Sequence, residues 1–194
     1  MKSVIGIDFD NTIISYDHLI HKVAVEKNLI PSAFSKSKKE IRDHLRTIPG
    51  GEIEWQKIQA LIYGPRITEA NLMEGVNDFL KACKDNGIKV YIISHKTEHS
   101  NLYQGGTNFR TSALNWMKEN IFSDLLSEKE VYFTSTQDEK IKTVADLGCT
   151  HFIDDLEEIF NQEIFPKNVK KILFNPHGKA SVRGELAILT TWKD

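Results

Sequence analysis

The chain has 194 residues, 40% of them hydrophobic and 27% charged, and its 25 basic against 27 acidic residues leave a formal net charge of −2. That length buries one ordinary core, with or without a modest insertion, and needs no disulfide framework. The charge balance gives no electrostatic basis for nucleic acid as a partner, and no segment approaches the roughly 20 apolar residues of a membrane span. The opening MKSVIGIDFD sets one basic residue ahead of acidic ones, unlike a secretory signal, so a cytoplasmic location is expected.

The first strand-like run, SVIGIDF (Ser3 to Phe9), leads into Asp8 and Asp10. Carboxylates at alternate positions of a strand project to the same side and repel one another, so a positive charge is expected beside them. From Ser15 to about Glu74 the pattern is helical. DHLIHKVAVEKNLI is closed by Pro31, SKSKKEIRDHLRTI by Pro49, Gly50 and Gly51, and EIEWQKIQALIYG by Gly64 and Pro65. The stretch 15–74 therefore reads as a helical insertion, leaving 1–14 and 75–194 as the sheet-bearing domain.

Beyond the insertion, EGVNDFLKACKDNG places Val76, Phe79, Leu80 and Cys83 on one helical stripe and stops at Asn86 and Gly87. The strand-like IKVYIIS (Ile88 to Ser94) follows. HSNLYQGGTNFR (His99 to Arg110) is polar and glycine-containing, which suits a mobile loop beside a site; its Arg110 is either a surface residue or a reader of a second anion. TNFRTSALNWMKENI predicts a helix, and EVYFTS (Glu130 to Ser135) a strand. STQDEKIKTVADLG carries Thr136 with Glu139 three residues on, the spacing of a capping box, which puts Lys140 in the first helical turn. CTHFIDD (Cys149 to Asp155) and KILFNP (Lys171 to Pro176) complete the strands, while HGKASVRGELAILTTWKD shows no clear element. This alternation predicts an α/β fold, a Rossmann-like parallel sheet with helices on both faces and a small all-α cap inserted after the first strand. Cys83 and Cys149 lack any ligand or CxxC spacing and are expected as buried free thiols, and Trp55, Tyr63 and Phe79 as core.

In an open parallel sheet, ligands bind at the carboxyl ends of the strands. Those ends carry Asp8, Asp10 and Thr12, then Ser94 with His95, Lys96 and Thr97, then Asp154 and Asp155, with Lys140 on the helix feeding the last strand. The set suits phosphoryl transfer through a carboxylate nucleophile. Mg²⁺, which takes carboxylate oxygens and waters, would be held by Asp8, Asp10 and one or both of Asp154 and Asp155, and would be the missing positive charge. Asp8 would attack phosphorus to form an aspartyl phosphate, and Asp10 would act as acid and base if neighbouring carboxylate charge raises its pKa. Thr12, Ser94, His95 and Lys140 would hold the phosphate oxygens. Lys142 is the rival to Lys140, separated from it only by helical register.

With those residues in view, the chain resembles the haloacid dehalogenase superfamily of phosphohydrolases. Its four motifs map in order on DFDNT (Asp8 to Thr12), VYIIS ending in Ser94, Lys140, and the pair Asp154 and Asp155. The resemblance spans the chain apart from the helical stretch, which stands where that superfamily carries its C1 cap. It implies a phosphatase or phosphomutase, because the dehalogenases lack the acid and base that Asp10 supplies. Asn11 stands where the family commonly has Gly, a mild departure, since Asn tolerates left-handed backbone. The expected reaction is hydrolysis of a small phosphomonoester, a sugar phosphate or nucleotide, with the cap excluding bulky substrates. A phosphomutase, a slow phosphate-binding regulatory module and a nucleic-acid end phosphatase are the rivals; retained Asp10 argues against the second and the near-neutral charge against the third.

Overall fold

The computed structural model describes residues 2–100, 102, 106–122, 126–178 and 181–193. They form two compact units: Met1–Ile14, Leu72–Lys96 and Lys118–Asp194 make the first, Ser15–Asn71 and Thr97–Met117 the second. None of the helices is long and apolar enough to cross a membrane, among the described residues.

The first unit is built on β1 (Val4–Ile7), with β2 (Ile14–Ser15) and β3 (Asn71–Leu72) pairing separately where the chain leaves and re-enters it. Further along the chain lie β4 (Lys89–His95), β5 (Val131–Thr134), β6 (His151–Asp154), β7 (Lys170–Phe174), β8 (Ser181–Arg183) and β9 (Leu186–Leu189). The sheet runs in the order β5-β4-β1-β6-β7-β9-β8, with every neighbouring pair parallel except β8 and β9. The expected α/β fold with a parallel sheet is therefore what forms. The polar-looking tail from His177 onward holds the last two strands. Three- and four-residue strands are too short to show a period; pairing places them, β9 on β7 and β8 on β9.

Gly6 interrupts the apolar run of β1 for a steric reason: a Cβ there would lie 2.8 Å from the Phe152 ring and 3.1 Å from Cys149 Sγ and Ile93. Phe152, Phe160, Phe165, Ile141, Val144 and Leu173 fill the core on this part of the sheet. The helices α4 (Val76–Asp85) and α6 (Gln137–Asp146) pack against the sheet. Both end in the same device: Gly87 and Gly148 take positive φ, and Ile88 N–H and Cys149 N–H reach back to Cys83 O (2.8 Å) and Val144 O (3.2 Å). Cys83 and Cys149 are buried and free, as the sequence implies.

The second unit holds α1 (Asp17–Glu26), α2 (Lys38–Leu45), α3 (Gly51–Tyr63) and most of α5 (Phe109–Asn120). The first helix stops four residues short of the expected Ile30. Asn28 adopts φ +55°, and Leu29 N–H bonds Ala24 O at 2.9 Å, so an asparagine closes the helix before Pro31 is reached. Arg66 ties this unit together through ion pairs with Glu26 and Glu69, the latter also held by Lys22 at 2.8 Å.

The division differs from the sequence-based boundaries in two respects: residues 72–74, read with the insertion, fall in the first unit, and a longer segment moves the other way. Residues 97–117, read with the sheet-bearing domain, group with 15–71. Trp116 Nε1 donates to Ala70 O (3.2 Å), and the Phe109 ring meets Tyr63 edge-on with centroids 6.1 Å apart. A helical period shows which face is apolar but not which partner covers it. Within HSNLYQGGTNFR, residues 101 and 103–105 lie outside the described residues, and with them part of the expected loop; Arg110 lies 3.4 Å from Glu98.

Candidate active site

Strands β4, β1 and β6 are neighbours at the centre of the sheet and run parallel, so the residues at their carboxyl ends meet at one edge. Asp8 follows β1, Ser94 is the last residue but one of β4, and Asp154 ends β6. All three are buried, Asp154 fully. Immediately after Asp8 the chain turns, with Ile13 and Ile14 N–H both donating to Phe9 O at 3.0 and 3.2 Å, and Asn11 takes φ +61°. Asparagine is thus present where the left-handed turn requires a tolerant residue.

Lys140 is the centre of the charge balance. Its side chain is 2% exposed, and its Nζ donates to Asp8 Oδ1 at 2.6 Å and stands 2.7 Å from Asp154 Oδ2. Burial by itself would lower its pKa, but the Asp8 and Asp154 carboxylates outweigh that and hold the ammonium above its ordinary value. Lys142 is exposed on the same helix, so helical register sends Lys140 alone into the cluster. The cap that places it differs slightly from the expected box. Thr136 Oγ1 accepts from Glu139 N–H (3.1 Å), but the Glu139 carboxylate accepts from Ser135 N–H (2.8 Å), one residue further back than a reciprocal box.

Ser94 Oγ donates to Asp8 Oδ1 at 3.0 Å, the oxygen Lys140 also bonds, so both donors orient the carboxylate through one atom and leave Oδ2 outside these two bonds. Asp154 Oδ1 accepts from Leu156 N–H at 3.0 Å. Its Oδ2 is buried and faces the Lys140 ammonium at 2.7 Å. Burial pushes the Asp154 carboxyl up to about 6; Lys140 opposes the rise and the charge of Asp8 adds to it. Asp8, Asp154 and the half-buried Asp155 each offer a carboxylate oxygen, and the three oxygens lie within 4.8 Å of one another. A tight group of three hard oxygen ligands, whose negative charge one ammonium balances only in part, suits a divalent cation.

Asp10 stands apart from that group. Both its oxygens accept from Lys96 Nζ, at 2.8 and 2.7 Å, and Lys96 is itself buried, with its ammonium 5.5 Å from the centre of the Phe9 ring. The neighbour expected for Asp10 was carboxylate charge; the one the structure supplies is an ammonium. In the sequence Lys96 reads with His95 as one of the polar residues at the carboxyl end of the strand, and the signal that separates them is strand alternation. Lys96 N–H still bonds Thr134 O at 3.0 Å, so the ladder continues and Ser94 and Lys96 share a face. His95, on the other face, is exposed, with Nε2 3.1 Å from Ser135 O, and the structure does not bring it to the carboxylates. Thr12 is fully buried; its Oγ1 has no hydrogen-bond partner among the described residues, and its carbonyl accepts from Trp192 Nε1 at 3.0 Å.

No protein-family model matches the chain, and no curated protein matches it in sequence. Solved structures do. The HAD-hydrolase YfnB of Bacillus subtilis, in a form bound to magnesium, aligns over 99% of this chain and 96% of its own at 12% identity, with a TM-score of 0.60. A haloacid dehalogenase-like family hydrolase from Streptococcus pneumoniae aligns over 90% and 85% at 15% identity, TM-score 0.56. A HAD-superfamily hydrolase of subfamily IA from Geobacter sulfurreducens aligns over 99% and 93% at 11% identity, TM-score 0.55. The chain has the fold of the haloacid dehalogenase superfamily hydrolases. At these identities the likeness is one of fold, and the chemistry rests on the residues described above.

Proposed function

We propose that the protein is a divalent-cation-dependent phosphatase acting on a small phosphomonoester through an aspartyl phosphate on Asp8. The observation that carries this reading is the buried group of Asp8, Ser94, Lys140 and Asp154, in which one Asp8 oxygen is held by two donors and the oxygens of Asp8, Asp154 and Asp155 lie within 4.8 Å of one another. Mg²⁺ would be held by Asp8, Asp154 and Asp155, and would offset the phosphate's negative charge. Asp8 Oδ2 would attack phosphorus while the ester oxygen leaves with a proton from Asp10. Asp10 would then take a proton from the water that cleaves the acyl phosphate. Lys140 and Ser94 orient the nucleophile, and Lys140 adds positive charge beside the transferred group.

The direct test is phosphate release from sugar phosphates, nucleotides and an aryl phosphate, with Mg²⁺ or EDTA. Wild-type release that needs the metal and falls by about 10⁴-fold or more in Asp8→Asn supports the reading, since the nucleophile is lost at little cost in shape. Release that survives the substitution excludes Asp8 as nucleophile.

A pH dependence follows from Asp154. Its carboxyl in the folded chain titrates near 6, above the ordinary 3.8, so between these values the folded state holds the proton and the unfolded state does not. The stabilisation is complete below about 4 and is lost as pH rises through about 6. In EDTA, the unfolding free energy from urea titrations is expected to fall across that window. Mg²⁺ is expected to offset the loss above pH 6, where the ionised site can bind it. An EDTA curve that rises through the window would contradict this assignment.

A further inference from the structure

Trp192 lies beyond β9, in the stretch whose sequence shows no clear element, and the phosphatase chemistry gives it no part. It is buried within the first unit. Its ring centroid is 5.0 Å from that of Phe79 in α4 and 5.4 Å from that of Phe174 in β7. Before α4, Gly75 takes φ +90°, and a Cβ there would lie 3.0 Å from Trp192 Cβ, a close approach that glycine alone permits without strain. The adjacent Lys193 pairs with Glu74 at 2.6 Å. An apolar seat of this kind suits any large aromatic side chain; indole differs from a phenyl ring by one polar group, the Nε1–H donor.

That donor goes to Thr12 O at 3.0 Å. Thr12 is fully buried, so water cannot take the place of the indole, and a carbonyl left unpaired there would favour a rearranged turn. Thr12 belongs to the turn from Phe9 to Ile14, two residues after Asp10 and next to Asn11 at φ +61°. The bonds that close this turn run from Ile13 and Ile14 N–H to Phe9 O. Asp8 is fixed by other means. Its N–H bonds Ile153 O at 2.8 Å in the sheet, and its carboxylate is held by Ser94 and Lys140. Lys96 holds the Asp10 carboxylate, but the Asp10 backbone belongs to the turn. The two carboxylates thus depend on different supports, and Trp192 bears on one of them.

We infer that Trp192 is a positioning residue for Asp10: its N–H fixes the Thr12 carbonyl, and with it the turn that carries the acid and base. The role in turnover rests on the phosphatase reading, but the hold on the turn can be measured without substrate. Two replacements remove the N–H and keep an aromatic ring. One is Trp192→Phe; the other is 3-benzothienylalanine at position 192, which keeps the bicyclic shape with sulfur for the N–H and serves should the first not fold. Phe174→Leu is the control, loosening the same seat with the indole N–H in place. The Ile13 and Ile14 amides are expected to exchange with solvent at least about tenfold faster in the first two proteins, with the Asp8 amide unchanged, and Phe174→Leu is expected to show no such difference. Unchanged protection at Ile13 and Ile14, equal acceleration at all three amides, or the same selective pattern in Phe174→Leu would overturn the assignment. In turnover, the Asp10 proton matters most for a basic leaving oxygen. As the bond from Asp8 Oδ2 to phosphorus forms, the ester P–O bond breaks and its electron pair takes that proton, whereas 4-nitrophenolate leaves without it. The loss in kcat/KM is therefore expected to be about tenfold larger on glycerol 3-phosphate than on 4-nitrophenyl phosphate. Equal losses on the two would show a merely structural role and overturn the positioning. If wild type hydrolyses neither, the hydrolase reading fails by itself, and amide exchange decides for or against the hold of Trp192 on the turn.

Discussion

Replacing Lys140 by methionine is expected to destabilise the fold by about 3–5 kcal/mol at pH 7 in EDTA, the range for removing one partner of a buried ion pair. Methionine fills nearly the same volume, so the loss is electrostatic. Asp8 and Asp154 would be left as two buried carboxylates without the ammonium that now lies 2.6 and 2.7 Å from them. Asp154 can relieve the repulsion by taking up a proton, since burial already pushes it up to about 6 with Lys140 in place. The penalty is therefore expected to shrink at pH 5 and on adding Mg²⁺, and urea titrations of both proteins at the two pH values, with and without metal, measure it. A penalty independent of pH and metal would mean that Lys140 matters for packing alone. Phosphate release is expected to fall by at least about 10²-fold even where stability is recovered, because the donor that orients Asp8 is gone.

The second large effect is expected at Lys96. Lys96→Met removes both bonds from the ammonium to the Asp10 carboxylate, and Asp10, whose side chain is 20% exposed, is expected to turn toward solvent. Acid–base catalysis contributes about 10² to 10⁴-fold, so kcat is expected to drop by about 10² to 10³ with little change in KM, and Lys96→Arg to recover part of the loss. Steady-state kinetics on an aryl phosphate separate this from the alternative. A raised KM with kcat intact would show that Lys96 binds substrate directly and does not position Asp10. The stability cost is expected to be smaller than for Lys140, about 2 kcal/mol, because water can solvate the abandoned carboxylate.

What the sequence by itself determined is local in origin. Asp8, Asp10, Ser94 and Asp154 were legible as strand-end residues because an apolar run that stops marks a strand end whatever it pairs with. Thr136 as a helix cap, Gly87 as a helix stop and Asn11 as a left-handed turn residue are matters of backbone conformation within a few residues. Tertiary structure alone decided the rest. Lys140 and Lys142 are both plausible from spacing, and only the packing of α6 on the sheet buries one and leaves the other in water. Lys96 is not distinguished from His95 in the sequence, because both lie past the last apolar position of β4; pairing with β5 extends the ladder and turns its ammonium to Asp10. The tail strands β8 and β9 and the grouping of 97–117 with 15–71 depend on partners far away in sequence. A single chain's periodicity records which residues avoid water, but the partner that shields them is chosen by the fold as a whole.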